Sequence, residues 1–210
     1  MRQVINCLKE NNPLINRPLK KVSIDEGMKI ATELFEILNK RQDGIGLAAN
    51  QVGIDAQVAV VNVREPIILI NPEIIEYSNE IPYYEGCLSF QGKGVHTKRY
   101  GDIVVATEQE DSKLYFSAAK NSSEGKGTWE EQTQKTKEYE LRKLETVCVQ
   151  HEIDHLNGKT IMDRRAVNTI TNEDKIGRNE KVTITNGAET RKLKWKKAES
   201  LVQSGVWKRV

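Results

Sequence analysis

The segment Gln150-His151-Glu152-Ile153-Asp154-His155 organises the interpretation of this 210-residue chain. It closes a run in which side chains recur at spacings of three and four, namely Leu141, Leu144, Val147, Cys148, His151 and His155. This period predicts a helix from Leu141 to His155, which Asn157-Gly158 should end. Because residues four apart share one face of a helix, both imidazoles are expected to point the same way.

Two imidazoles one helical turn apart can bind one metal ion, and Glu152 between them can act as a base toward a metal-bound water. The competing interpretation is a surface helix with two ordinary histidines. The chain has only three histidines in all, and two of them flank a glutamate at the required spacing, which favours a catalytic metal site. Such a site needs a third protein ligand, for which residue type alone leaves both His96 and Cys87 as candidates.

Composition is compatible with one well-buried core, since 38% of the residues are hydrophobic and the formal net charge is only +2. No apolar run approaches the roughly 18 residues of a membrane span, and the first ten residues lack the apolar centre of a signal peptide. We therefore expect no membrane association and a cytoplasmic location. The three cysteines do not suggest a disulfide framework, so Cys7 and Cys148 are interpreted as structural thiols.

Local patterns predict further elements around the motif helix. A first helix should start after Ser23, bury Met28, Ala31, Leu34, Phe35 and Leu38, and end near Lys40. Apolar runs predict strands at 58–63, 67–70 and 103–106, whereas the polar stretch 107–138 suggests an exposed loop. Residues 176–210 hold nine Lys or Arg and three Glu, which places a boundary near 166–176. Asn186-Gly187 there predicts a hairpin, with a short helix near 197–202.

Two more clusters lie upstream of the motif helix: Gly44-Ile45-Gly46-Leu47-Ala48-Ala49-Asn50-Gln51 and Glu85-Gly86-Cys87-Leu88-Ser89. Read alone, the first is a glycine-rich turn without a phosphate-binding fingerprint. Taken in order with Gln150–Leu156, the clusters resemble the three signature motifs of the peptide deformylase family, over about residues 4–165. The resemblance implies removal of the N-formyl group from nascent polypeptides that begin with formyl-methionine, with release of formate.

The resemblance also implies roles for individual residues. It makes Cys87, His151 and His155 the ligands of one divalent ion per chain, most often Fe²⁺, with Zn²⁺, Ni²⁺ and Co²⁺ accommodated. Glu152 becomes the general acid and base, while the Gln51 side chain and the Leu88 backbone N–H stabilise the oxyanion. Substrate contacts fall to Ile45, Gly46, Tyr83, Gly86, Leu144 and Val147, and Glu85 pairs with Arg99 to support the site.

The implied fold is α+β, with antiparallel strands packed around a central metal-binding HExxH helix and a small basic C-terminal extension. The implied catalytic domain spans 1–165 with a surface insertion at 111–136, and the extension spans 176–210. The insertion can be a lid, a partner contact or a tolerated surface excursion. The basic extension suggests contact with the ribosome, against the plainer interpretation of a solvated subdomain.

Three departures from the family pattern are the longer stretch between the second and third motifs, Phe90-Gln91-Gly92 after the second, and Asn50 where proline is frequent. The side chain of Asn50 is interpreted as neutral. Two other functional classes compete: a zinc peptidase that cleaves internal amides, and an inactive deformylase-like binding protein. Cys87 and Gln51 argue against the first, and the intact set of motif residues argues against the second.

Overall fold

The first helix, α1, spans Ile24–Asn39 and is capped by Ser23, whose hydroxyl accepts the backbone N–H of Glu26 at 3.3 Å. These bounds confirm the predicted helix. One predicted core position is wrong, because Met28 is 42% exposed. Gly27 takes the inner position of that turn, where an added Cβ would lie 2.7 Å from the Ile70 side chain. The backbone of α1 therefore packs directly against the side chain of Ile70.

The structure is a computed structural model that describes residues 2–41, 43–109, 113–118, 129–165, 181–185, 189–198 and 208–209. The chain divides into two compact units, Met1–Ala166 and Val167–Val210. In the first unit, β1 (Gly46–Ala48), β2 (Val58–Asn62) and β3 (Pro66–Ile70) form an antiparallel sheet in that order. A 3-10 turn, Ala49–Val52, follows β1 directly. The α+β, antiparallel architecture predicted for the chain is confirmed.

A long hairpin dominates the second sheet of this unit. β4 (Glu73–Gly86) pairs antiparallel with β5 (Gly94–Ala106), and β6 (Leu114–Ser117) adds to the other edge of β5. The sequence predicted only the last four residues of β5. Most of β4 is polar and exposed, and a register shift at Ile74/Glu76 interrupts its alternation, so the apolar pattern was absent there.

The motif helix, α2, spans Trp129–Leu156 and contacts β1, β2, β5 and β6. It begins twelve residues before the predicted start, and Leu141 is 40% exposed rather than buried. The loop predicted over 107–138 is therefore wrong for β6 and for the start of α2. The early turns carry mostly Glu, Gln, Thr and Lys without an apolar face, and the first described ion pair of the helix is Arg64–Glu138 at 3.2 Å. Of the predicted insertion, 111–112 and 119–128 lie outside the described residues.

The second unit contains β7 (Lys181–Thr185) and β8 (Thr190–Lys194), which form the predicted hairpin, with β9 (Lys208–Arg209) beside β7. Its small core consists of Val182, Ile184 and Ala198, with Leu193 and Trp195 packed against it. Residues 195–198 are helical, and the rest of the helix predicted near 197–202 lies outside the described residues. Among the parts of the chain that the structure describes, no helix has the length and apolar character needed to cross a membrane.

Candidate metal centre

A cavity of about 440 Å³ opens between β1, the end of β4 and the C-terminal half of α2. It is lined by nearly all the residues singled out in the sequence: Ile45, Gly46, Gln51, Tyr83, Glu85, Gly86, Cys87, Leu88, Leu144, Val147, His151 and Glu152. His155 and Arg99 lie behind this lining, where both are buried. The three motifs, separated by up to about 100 residues in the chain, therefore converge on one cleft.

Three candidate ligand atoms meet at the floor of this cleft. Cys87 follows the last residue of β4, and its Sγ lies 3.3 Å from Nε2 of His155. His151 is one turn earlier on α2, and one donor atom from each of the three residues lies within 4.8 Å of the others. His96 does not join them, because it is exposed on β5 with its ring 4.9 Å from that of Tyr84. Of the two candidates for third ligand, the geometry selects Cys87.

Glu85 fixes the orientation of the His151 ring. Its Oε2 lies 2.7 Å from Nδ1 of His151, which leaves Nε2 facing the cluster when Nδ1 carries the proton. Arg99 donates to both oxygens of Glu85, from Nε at 2.7 Å and from Nη2 at 3.0 Å, and Thr97 donates as well. Burial opposes ionisation of Glu85, yet the hydrogen bonds from His151 and Arg99 lower its pKa to about 2.

The support of Glu85 continues to two residues that sequence reasoning missed. Arg99 also donates to Asp154, which lies on α2 between the two histidines. Arg164 grips the same carboxylate from beyond the helix, with Nη2 2.7 Å from Oδ1 and Nε 3.0 Å from Oδ2. Asp154 could have been noticed because it lies inside the motif, but the position of Arg164 in the sequence does not indicate that it contacts Asp154.

Glu152 is almost completely buried at the edge of the cluster. An added Cβ on Gly46 would lie 2.4 Å from its Oε1, so only glycine leaves room for this carboxylate. Its Oε2 is buried without a hydrogen-bond partner among the described residues. Burial raises the pKa of Glu152 to about 7, against the opposing charge of His151. A carboxylate with such a pKa can accept and return a proton near neutral pH.

Gln51 presents an amide N–H to the same place. Its Oε1 accepts the backbone N–H of Ala48 at 2.8 Å, which turns Nε2 toward Cys87 Sγ at 3.6 Å and Ser89 Oγ at 3.4 Å. The 3-10 turn that carries Gln51 is thus locked to the strand before it. The side chain offers a fixed donor at the floor of the cleft, beside the cluster.

Asn50 is not neutral, contrary to its interpretation from the sequence. Its Nδ2 donates to the backbone carbonyl of His155 at 2.7 Å, and Asn12 donates to the carbonyl of Asn50 at 2.8 Å. Carbonyls in the last turn of a helix lack partners within the helix, and Asn50 supplies one. The residue that differs from the frequent proline therefore ties the Gln51 turn to the end of α2.

An apolar recess lies beside the cluster. This name is given to the apolar part of the cavity lining, which consists of Ile45, Tyr83, Leu144 and Val147 with the buried thiol of Cys148. Nζ of Lys143, in the middle of α2, lies 5.5 Å from the centre of the Tyr83 ring. Gln91 and Gly92, from the second departure, also line the cleft.

Comparison with known proteins identifies relatives along most of the chain. A family model described as Polypeptide deformylase matches residues 4–123 and 126–171, which include all three motifs. The peptide deformylase of Dictyoglomus thermophilum is 38% identical over 170 residues, covering 80% of this chain and 96% of that protein. The peptide deformylase of Hydrogenovibrio crunogenus is 38% identical over 143 residues, covering 66% and 71%. The crystal structure of peptide deformylase from Thermotoga maritima matches with a TM-score of 0.60 at 28% identity, covering 79% and 98%.

Proposed function

Because this chain belongs to the polypeptide deformylase family, we propose that Cys87, His151 and His155 hold the divalent ion of its catalytic centre. The chain is a metal-dependent hydrolase that removes the N-formyl group from newly synthesised polypeptides. The observation that carries the assignment of residues is the meeting of the three donor atoms within 4.8 Å, next to the buried Glu152.

The donor set suits the proposed ion. One thiolate and two imidazoles favour a soft or borderline divalent metal, and three protein ligands leave a position for water or substrate. We assign Fe²⁺ as the physiological ion, with Zn²⁺, Ni²⁺ and Co²⁺ as replacements. When bound, such an ion lowers the pKa of a water molecule and polarises a carbonyl oxygen.

The residues of the chain then divide the remaining work. Glu152 takes a proton from the attacking water at its carboxylate, as that oxygen bonds to the formyl carbon. Gln51 Nε2 and the backbone N–H of Leu88 donate hydrogen bonds to the oxygen on which negative charge develops. When the C–N bond breaks, Glu152 returns the proton to the departing amine. The products are formate and a peptide with a free N-terminal methionine.

The methionine side chain of the substrate fits the apolar recess. Ile45, Tyr83, Leu144 and Val147 supply its walls, and the absence of a side chain at Gly46 and Gly86 lets a peptide backbone approach the cleft. In this assignment residues 1–165 form the catalytic domain and residues 176–210 a basic extension. The enzyme acts in the cytoplasm, where synthesis delivers formylated chains.

Loading with single metals tests the assigned centre. We expect formate release from a formyl-Met tripeptide by protein prepared without oxygen and loaded with at least one of Fe²⁺, Ni²⁺ and Zn²⁺, and none by the metal-free protein. Cys87→Ala should bind less than a tenth of the metal, because one of three ligands is lost, whereas Cys7→Ala should bind a full equivalent. A Cys87→Ala protein that kept one tightly held ion per chain would refute the ligand set.

The basic extension is assigned to contact with the ribosome, which presents the substrate. On the hairpin, Lys181 lies directly opposite Lys194, and Lys192 lies opposite Thr183, all on the face away from the small core. Like charges directly opposite each other across strands are unfavourable unless a polyanion is near. A phosphate backbone would relieve this repulsion.

Co-sedimentation with purified ribosomes tests this contact. We expect Lys181→Glu/Lys192→Glu/Lys194→Glu to lose at least about tenfold in ribosome affinity at low salt, since several cation–phosphate contacts are reversed. The matched control is Lys9→Glu/Lys29→Glu/Lys137→Glu, which makes the same change in net charge on exposed positions of the first unit. Equal binding by the two triple variants would exclude the hairpin as the contact.

A further inference from the structure

The structure contains a chain of ion pairs that runs from the candidate metal centre to the surface. His151 contacts Glu85, Glu85 is held at both oxygens by Arg99, and Arg99 reaches Asp154. Arg164 then holds both oxygens of Asp154 from outside. These five residues, called the relay below, come from α2, β4, β5 and the segment after α2.

The relay starts on α2 and returns to the same helix. His151 and Asp154 are three residues apart on α2, so the route through Glu85 and Arg99 leaves the helix and returns to it. The side chains of Glu85, Arg99 and Asp154 are all more than nine-tenths buried. In such surroundings each carboxylate oxygen needs its partner, and Arg99 must serve two carboxylates at once.

Arg164 provides Asp154 with a second guanidinium besides Arg99. Arg164 bonds both oxygens of Asp154 and supplies a second positive charge there, while Arg99 bonds Asp154 through Nη1 and Glu85 through Nε and Nη2. Without Arg164, two buried carboxylates would share the single positive charge of Arg99. Arg99 would be drawn toward Asp154, and Glu85 would hold Nδ1 of His151 less firmly.

We propose that Arg164 is a positioning residue of the metal centre, which acts through Asp154, Arg99 and Glu85 to hold the His151 ring in its ligating orientation. The inference rests on the proposed metal centre. The side chain of Arg164 is 40% exposed and lines a second cavity of about 510 Å³, away from the cleft. Its replacement thus removes charge and hydrogen bonds with little loss of buried apolar contact.

The test compares Arg164→Met, which keeps the length of the side chain, with Arg165→Met, its exposed neighbour, as the matched control. Affinity for Zn²⁺ is measured by competition with a chromophoric chelator. We expect Arg164→Met to bind Zn²⁺ about tenfold more weakly, at the lower end of what outer partners of metal ligands contribute, and Arg165→Met to match the wild type. Arg164→Lys should fall between them, because an ammonium cannot hold both oxygens in a fork.

Two further readouts separate positioning from structure. In the metal-free protein, the Nδ1–H proton of His151 should exchange faster with water in Arg164→Met than in the wild type. With formyl-Met tripeptide, kcat should fall while KM stays within about twofold, because the recess is untouched. A lower Tm without these changes would mean that Arg164 acts only on the fold, and would overturn the inference.

A double-mutant cycle with Glu85→Gln tests whether Arg164 acts on the metal centre through Glu85. If Arg164 acts through Glu85, the Arg164→Met change should cost little additional Zn²⁺ affinity once Glu85→Gln is present. Full additivity of the two effects would overturn the inference. Asp154→Asn keeps the shape of the side chain and should weaken Zn²⁺ binding as Arg164→Met does. If Arg164→Met does not fold, Asp154→Asn takes its place in the test. A wild type without Zn²⁺ affinity would refute the proposed centre itself, and with it the inference.

Discussion

Glu152→Gln is expected to lower kcat for formate release by about a thousandfold while the protein keeps its metal. Glutamine has the size and shape of glutamate but cannot take a proton, so the reaction loses both its base and the acid that serves the leaving amine. Proton transfer of this kind contributes about 10²–10⁴-fold in enzymes. The measurement is kcat and KM with a formyl-Met tripeptide, beside metal content per chain.

Glu145→Gln is the matched control for this change. Glu145 is also a buried glutamate of α2, but it faces Arg64 rather than the cleft, with 3.4 Å between Nη1 and Oε2. We expect it to leave kcat within about twofold. If Glu152→Gln turned over like Glu145→Gln with full metal, proton transfer at Glu152 could not be part of the reaction.

The cleft was predictable because its residues carry their chemistry in local motifs. His151 and His155 are fixed on one face by the helical period, and Gly46 and Cys87 stand in short clusters. Residue type alone left Cys87 and His96 as candidates for the third ligand, and the family resemblance implied Cys87. The fold agrees with that choice, because the turn after β4 brings Cys87 to the two histidines while His96 stays exposed on β5. Arg164 could not be predicted, because its contact with Asp154 joins two common residue types at a spacing that belongs to no motif.

The fold was predictable where burial imposes a pattern and not where polar contacts replace it. Strands β2 and β3 are apolar because both lie in the core, and their bounds follow from the sequence. Strand β4 is held by pairing with β5, and the first turns of α2 have no apolar face, so neither shows the expected period. Asn50 likewise acts through one hydrogen bond to a helix end, which composition cannot reveal.

Gly46→Ala is expected to lower kcat by about a hundredfold with normal metal content. The new Cβ would lie 2.4 Å from Oε1 of Glu152 and 2.7 Å from Sγ of Cys148, both too close for any real contact. Because β1 is paired with β2 and cannot retreat, the Glu152 carboxylate must move by about 1 Å, and a misplacement of that size can cost 10²-fold. The measurement is again kcat with metal content.

Two variants show whether the displaced carboxylate is the cause. Gly101→Ala adds the same methyl group to a buried glycine of β5, 3.2 Å from a backbone oxygen and outside the cleft, and should lower Tm without changing kcat. Gly46→Ala/Cys148→Ala removes the sulfur contact, which gives the Glu152 carboxylate space near its native position. In this double variant kcat should recover to at least about a fifth of the wild-type value. If Gly46→Ala kept wild-type kcat, Glu152 would have to work equally well from a displaced position, and the close fit between the first and third motifs would have no role in the reaction.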